Sequence, residues 1–279
     1  MPTRPRVLVT GAGGQVGTAM RSLVRWADFR THAELDVTDP ASIEAATEGK
    51  DIVVHLAAMT QVDWCELQPD RAAEINTGGT GNVIAAARMH GARVIYLSTD
   101  FVFRGDDPPY AEDDSLSPVN VYGKTKLGGE EQLDPAAGDL VVRTSWVFGQ
   151  GINFLRTILG AATEGPVTVV EDQIGRPTAA ADLAFALERL IRAPIAGRLH
   201  VAGDGAPCSW ADLAELALQY AGRSTEVIRV DTESFRASHP ERVAPRPPNS
   251  TLSIDKARDL DIPLVDWRAS LQRYVEELV

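Results

Sequence analysis

The sequence predicts an α/β protein, a doubly wound parallel sheet with a smaller C-terminal lobe. Three observations predict it. Short apolar runs alternate with helical patterns through the first half of the chain, as strands do when crossover helices join them. The run Asp51–Ala57 is almost continuously apolar, as in a strand covered on both faces. A glycine-rich turn, Gly11-Ala12-Gly13-Gly14-Gln15-Val16-Gly17, follows the first apolar run and leads directly into a helical pattern.

Arg6–Thr10 reads as the first strand and Gln15–Arg25 as the first helix. A second strand lies near Phe29–Ala33, weakly marked by its pattern. Asp39-Pro40 is a helix start, because Asp caps free N–H groups and proline suits the first turn. Asp51–Ala57 is the third strand, Ala72–His90 a long helix, Arg93–Ser98 the fourth strand and Leu140–Arg143 the next. After about residue 150 the pattern loosens. Asn153–Thr163, Ala180–Arg192 and Trp210–Ala221 read as helices, the last opened by the capping-box spacing Ser209-Trp210-Ala211-Asp212. Arg198–Ala202 reads as a strand, Ser238–Ser250 as an irregular Pro/Arg-rich loop, and Trp267–Leu278 as a closing helix. Residues 1–150 are expected to form the sheet domain, with a later contribution from about 178–202, and 151–279 mostly the smaller lobe.

Composition narrows the function. The formal net charge of -12 argues against a general nucleic-acid binder, which carries a basic face. The two cysteines, Cys65 and Cys208, are far apart and form no C-x-x-C pair, which fits a reducing cytoplasm. The N-terminus has no long apolar region and no apolar run approaches a membrane span, so neither secretion nor a membrane partner is expected. No His/Asp/Glu cluster has ligand spacing, so no metal is expected. His55, inside an apolar strand, reads as a core histidine.

The glycines at 11, 14 and 17 allow a tight turn and a close approach of backbone N–H groups, at a helix N-terminus that carries partial positive charge. That combination binds the pyrophosphate of a dinucleotide in a Rossmann fold. The spacing is G-x-x-G-x-x-G, not the commoner G-x-G-x-x-G. An NAD site places a carboxylate at the end of the second strand. Here that end offers Arg30, Thr31 and His32, with Glu34 just beyond. Arg30 suits a 2′-phosphate, so NADPH is favoured, with NADH still allowed through Glu34.

The chemistry is carried by Tyr122-Gly123-Lys124-Thr125-Lys126. Tyr122 and Lys126 are four apart and share one helix face. An ammonium beside a phenol stabilises the phenolate and lowers its pKa, and a phenol can then pass a proton to a carbonyl oxygen as hydride arrives. The fourth strand ends in Ser98-Thr99-Asp100, at the sheet end where such folds bind ligands. A hydroxyl there can donate to the same oxygen.

With these residues in place, the chain resembles the extended short-chain dehydrogenase/reductase family, and within it the dTDP-4-dehydrorhamnose reductase family. The resemblance runs nearly end to end. It includes Thr10–Gly17, Leu35–Asp39, Ala57–Asp63, Ser98–Phe103, Tyr122–Lys126, Arg143–Gly149, Asn153-Phe154, Asp172–Thr178 and Arg246–Ser250. It implies NADPH-dependent reduction of the 4-keto group of a dTDP-linked 6-deoxyhexose. Thr99, Tyr122 and Lys126 would be the catalytic trio. Gly11, Gly14, Gln15, Val16, Gly17, Arg30, Asp36, Val37, Ala57, Ala58, Met59 and Ser98, together with Tyr122 and Lys126, would hold the cofactor. Thr60, Val62, Thr99, Asp100, Phe101, Trp146, Asn153, Pro177 and Thr178 would meet the substrate. Leu35–Asp39 would fall beyond the second strand, which again favours NADPH. A homodimer is compatible with the family; some relatives pair through a surface Mg2+ site, for which this sequence offers no marker.

The sequence departs from the family pattern at Phe101, usually tyrosine, at Arg104, often aspartate, and at Gly128-Gly129, where a glutamate usually comes first. The first two put the particular sugar in question, and the glycines are expected to soften the helix. Two other functions share the fold. A sugar-nucleotide 4,6-dehydratase needs an Asp-Glu pair after the threonine, and here Phe101 follows Asp100. A non-catalytic NADP-binding regulatory subunit, like that of methionine adenosyltransferase, is opposed by the intact Thr99, Tyr122 and Lys126.

Overall fold

In the computed structural model, which describes residues 4–278, the sheet domain is laid down first. Its first elements are β1 (Val7–Thr10), α1 (Gln15–Leu23), β2 (Asp28–Arg30), α2 (Pro40–Thr47), β3 (Ile52–His55), α3 (Val62–Leu67), α4 (Pro69–Ala73), α5 (Gly79–His90), β4 (Arg93–Thr99), α6 (Val121–Glu130) and β5 (Leu140–Thr144). Then follow β6 (Val147–Phe148), α7 (Phe154–Ala161), β7 (Val167–Val170), β8 (Ile174–Gly175), β9 (Thr178–Ala179), α8 (Ala180–Arg192), β10 (Gly197–His200), β11 (Cys208–Ser209), α9 (Trp210–Tyr220), β12 (Val227–Val230), α10 (Thr232–Ser238), α11 (Asp255–Asp259) and α12 (Trp267–Glu276).

Six strands form one all-parallel sheet in the order β10-β5-β4-β3-β1-β2. The strand order reverses between β1 and β3, the switch point at which such sheets bind ligands. One face is sealed by α1 and α8, through Val16, Met20, Leu183 and Leu187 against Val7, Val9, Val54 and Val142. The other is sealed by α2 and α5, through Ile43, Val83 and Ala87 against Leu8, Val53 and Val94. The smaller lobe has its own core, with Leu155, Leu159, Leu213, Ala217, Trp267 and Leu271 at its centre.

Local chemistry explains most boundaries. Asp39 accepts from the N–H of Ala41 with Pro40 in the first turn, and Ser209 and Asp212 complete the capping box of α9. The long helix expected from Ala72 is continuous in direction but passes through a π-helical turn at Glu74–Gly78. That turn lets the fully buried Asn76 leave the helix surface and bond both backbone groups of Met59 and the hydroxyl of Thr125. Short α3, the paired β7 and β12, and α10 lie where the sequence showed no clear period. β12 is half exposed, so its pattern has no strong apolar face. Among the described residues no helix is long and apolar enough to cross a membrane.

Candidate active site

A groove of about 1010 Å³ crosses the carboxyl ends of the central strands at the switch point. The glycine turn forms one wall. Gly11 has φ +66, and a β-carbon there would lie 2.5 Å from the backbone nitrogen of Ala57, so the turn after β1 packs directly on the chain leaving β3. A β-carbon on Gly17 would lie 2.6 Å from Ala12, so α1 approaches its own turn as closely. Gly14 stands at the N-cap of α1 without side-chain capping, which leaves the first-turn N–H groups directed at the groove.

Most of the residues expected at the site line this groove. Gly11, Gly14, Gln15, Val16 and Gly17 do so, as do Asp36, Val37, Ala57, Ala58 and Met59. Thr60, Val62, Ser98, Thr99, Asp100, Phe101, Tyr122, Lys126 and Trp146 complete the set. Four do not line it. Arg30 turns back on Asp28 at 2.8 Å, and Lys50 shares the same carboxylate at 2.8 Å, because β2 is only three residues long and its end is tied to that ion pair. Asn153 caps α7 and donates to the carbonyl of Gly149 and to the Tyr274 hydroxyl, so it builds the loop and not the groove surface. Thr178 lies in β9 with its hydroxyl accepting from Gly203, and Pro177 packs beside Gly203. Their place is behind Trp146, whose carbonyl accepts from the Thr178 N–H.

The structure also adds residues that the sequence reading missed. Leu35, Trp64, Gln68, Arg71, Ile75, Ile152 and Trp210 line the groove as well, and so does His32 from the strand end that the sequence offered to the cofactor. Trp146 has φ +47, an uncommon conformation for a bulky residue, and stacks on Trp210 with ring centroids 3.6 Å apart and planes within 5°. Gly175 makes room for this pair, since a β-carbon there would lie 2.6 Å from the Trp146 indole nitrogen. The partnership of residues 146, 175 and 210 crosses three elements, and no local spacing announces it.

Tyr122 and Lys126 share the inner face of α6, whose start is capped by Asn120 accepting from the N–H of Gly123. Lys126 is buried, donates to the carbonyl of Leu97 at 2.8 Å and sits 4.0 Å above the Tyr96 ring. Burial pulls its pKa down to about 7, while the carboxylate of Glu130 one turn further on works in the opposite sense. For Tyr122 the expectation of an acidic phenol is corrected. Burial raises its pKa, the nearby Thr99 hydroxyl offsets part of that, and the Asp100 carboxyl adds to it. Desolvation dominates, and the Lys126 ammonium directs one donor to the Leu97 carbonyl and stands over the Tyr96 ring. The phenol is therefore held protonated, which is the form a proton donor needs at the start of a reduction.

The hydroxyls of Ser98 and Thr144 and the Oε1 of Gln15 are buried without a hydrogen-bond partner, and all three residues line the groove. Unsatisfied buried polar groups are rare in a native fold and call for a ligand with donors and acceptors of its own. A nicotinamide dinucleotide, with its carboxamide and ribose hydroxyls, matches that demand, and the glycine turn matches its pyrophosphate. Among the described residues no group of three His, Cys, Asp or Glu side chains is placed to hold a metal ion.

Comparison with known proteins agrees with this geometry. A family profile described as the RmlD substrate binding domain matches residues 5–279. The dTDP-4-dehydrorhamnose reductase of Mycolicibacterium smegmatis is 38% identical over 98% of this chain and 86% of its own. The chain belongs to the dTDP-4-dehydrorhamnose reductase family. The spore coat polysaccharide biosynthesis protein SpsK of Bacillus subtilis is 37% identical over 98% of this chain and 97% of its own. Among solved structures, the dTDP-4-dehydrorhamnose reductase of Bacillus anthracis in complex with NADP superposes with a TM-score of 0.90 at 34% identity, covering 99% of this chain and 100% of that one.

Against the family pattern, the departures have local accounts. Phe101, in place of tyrosine, meets the Tyr122 ring edge-on with centroids 6.0 Å apart. Arg104, in place of aspartate, pairs with Asp106 at 3.0 Å on the surface. Gly128 and Gly129 do not break α6, which runs to Glu130. A β-carbon on Gly129 would lie 2.5 Å from the Tyr96 hydroxyl, and one on Gly128 2.9 Å from the Thr77 hydroxyl. The glycines let the helix settle onto β4 and the π-helical turn.

Proposed function

We propose that this protein reduces the 4-keto group of a dTDP-4-keto-6-deoxyhexose with NADPH. The observation that carries it is the convergence of Thr99, Tyr122 and Lys126 in one groove with the glycine turn and the unpartnered Ser98 hydroxyl. NADPH, when bound, supplies the hydride to C4. The chain's own residues do the rest. The first turn of α1 and its glycines bind the pyrophosphate, and Lys126 holds the nicotinamide ribose. Thr99 and Tyr122 donate to the C4 oxygen, and Tyr122 gives up its proton as charge develops there, to be reprotonated from solvent after release. The stacked indoles of Trp146 and Trp210 form the wall for the sugar from the smaller lobe. Two buried free thiols, Cys65 and Cys208, suit a cytoplasmic enzyme.

The experiment is incubation with NADPH and a panel of dTDP-4-keto sugars, following nicotinamide absorbance and identifying products by NMR. Consumption of NADPH with formation of a 4-hydroxy sugar nucleotide is expected. Cofactor binding without oxidation by any member of the panel would replace this reading with a regulatory binding protein on the same fold.

A further inference from the structure

The groups around Thr99 hold a conflict in hydrogen bonding. A hydroxyl has one proton to donate and two lone pairs to accept with. The Thr99 oxygen already accepts from the N–H of Phe101 at 3.2 Å, and its proton is directed at Asp100 Oδ1, 3.1 Å away. An ionised carboxylate is an acceptor only. While Asp100 is ionised, Thr99 therefore has no proton left for a substrate oxygen. Asp100 is 2% exposed, and its other oxygen accepts from the hydroxyl of Ser250, itself 1% exposed. Ser250 comes from the Pro/Arg-rich loop that crosses from the smaller lobe. The loop is pinned nearby by Asn120 donating to the carbonyl of Pro245 at 2.9 Å.

We propose that Asp100 is a positioning residue for the reduction: in its protonated form it donates to Thr99 and turns the single Thr99 proton toward the substrate oxygen. This rests on the reductase reading above. With the acid proton on Oδ1, the two Thr99 lone pairs are filled by Phe101 N–H and Asp100 O–H. The one remaining direction for the Thr99 proton is the groove, where Tyr122 lies. Ser250 keeps its bond to Oδ2 in either state. Burial favours the protonated acid and pushes the Asp100 pKa up to about 7, against hydrogen bonds from Ser250 and Thr99.

Among the described residues, no cation nearby competes to keep Asp100 ionised. Lys126 of α6 is committed to the Leu97 carbonyl. Arg143 of β5 is paired with Glu130. Arg246 of the crossing loop is paired with Asp63, and Arg176 is spent on the carbonyls of Leu252 and Gly205. The remaining titratable neighbour is the Tyr122 phenol.

The test compares the pH dependence of kcat at saturating NADPH and keto-sugar for the full chain, Ser250→Ala and Asp100→Asn. The wild type is expected to lose turnover as pH rises and Asp100 ionises. Removing the Ser250 donor destabilises the carboxylate, so this limb moves to higher pH by about one unit, the size of one hydrogen bond to a charged group. Asp100→Asn presents a permanent donor to Thr99, so the limb attributable to residue 100 disappears. A limb that belongs to Lys126 stays in place in both variants. In parallel, carbon NMR of protein labelled at the aspartate carboxyls, assigned by the resonance missing from Asp100→Asn, reads the titration without turnover. An Asp100 resonance that titrates in the ordinary aspartate range, or a limb unmoved in Ser250→Ala, overturns the proposal. Absence of turnover with every keto-sugar would instead overturn the reductase reading, and the NMR titration would still decide the state of Asp100.

Discussion

Arg143→Met tests how α6, the helix that carries Tyr122 and Lys126, is held. Arg143 lies in β5 and is fully buried, and Glu130, at the end of α6, is 3% exposed. The guanidinium meets the Glu130 carboxylate as a fork, Nε at 3.0 Å and Nη2 at 2.7 Å, and donates through Nη1 to the Glu112 carbonyl at 3.0 Å. It also sits 5.1 Å over the Phe103 ring. His200 fits this arrangement only as a neutral imidazole, with Nε2 accepting from Arg143 at 3.3 Å and Nδ1 donating to the Ser253 carbonyl at 3.1 Å. Methionine has similar bulk but no charge, so the substitution strands a buried carboxylate. Breaking a buried pair from one side costs about 3–5 kcal/mol. At roughly 2–4 °C per kcal/mol for a chain of this size, the melting temperature should fall by about 6–20 °C. Replacing both partners, as Arg143→Met with Glu130→Leu, removes the stranded charge and should recover much of the loss. Thermal unfolding followed by circular dichroism measures both. A single variant that loses less than about 1 kcal/mol, or a double variant no better than the single, would refute the claim that this ion pair anchors α6.

Further outcomes are expected. Tyr122→Phe should lower keto-sugar turnover by at least about 100-fold, the usual scale of lost acid catalysis, with NADPH affinity by fluorescence titration nearly unchanged; equal turnover would remove the proton-donor role. Gly175→Ala should push Trp146 off Trp210 and raise the sugar KM by a few-fold to about tenfold, the worth of an aromatic stack, with no change in the KM for NADPH. Arg30→Ala should leave the NADPH-to-NADH preference in kcat/KM within about twofold, as for any surface charge outside the site, because Arg30 is paired with Asp28 and does not line the groove. A selective loss with NADPH would return Arg30 to the cofactor site.

Stability should fall with acid between about pH 6.5 and pH 4. Burial first, and the charge of Lys126 and of Arg143 second, hold His55 and His200 neutral with pKa values near 3. In that window the unfolded chain takes up two protons that the fold refuses, at up to about 1.4 kcal/mol per pH unit each. Asp100, with its pKa raised to about 7, is protonated in the fold before the unfolded chain and offsets one of the two. Urea midpoints across the window measure the net slope, and His200→Asn should flatten it. A stability that rises as the pH falls would contradict the buried neutral histidines.

The sheet and the pairing of Tyr122 with Lys126 on α6 were legible in the sequence because their signals are local. A strand covered on both faces must be apolar throughout, as Ile52–His55 nearly is, and a pyrophosphate turn must bring its glycines together in one short segment. Tyr122 and Lys126 share a face through helix geometry alone. The sequence offered Arg30 to a 2′-phosphate, but its pairing with Asp28, which Lys50 shares from 22 positions away, was not visible there. The phenol's acidity was misread because proximity to a lysine is visible in spacing, whereas desolvation depends on everything packed around the ring.

What the sequence determined by itself was the fold class and the family, together with most of the side chains that line the groove, since their signals lie within a helical turn or a strand of one another. Tertiary structure alone decided how those side chains are charged and aimed. It set Asn153, Pro177 and Thr178 behind the groove, seated Trp146 on Trp210 over Gly175, and brought Ser250 to Asp100 across 150 positions. Burial and hydrogen-bond commitment are properties of the packed surroundings, and in a folded chain those surroundings are contributed by segments with no proximity in sequence.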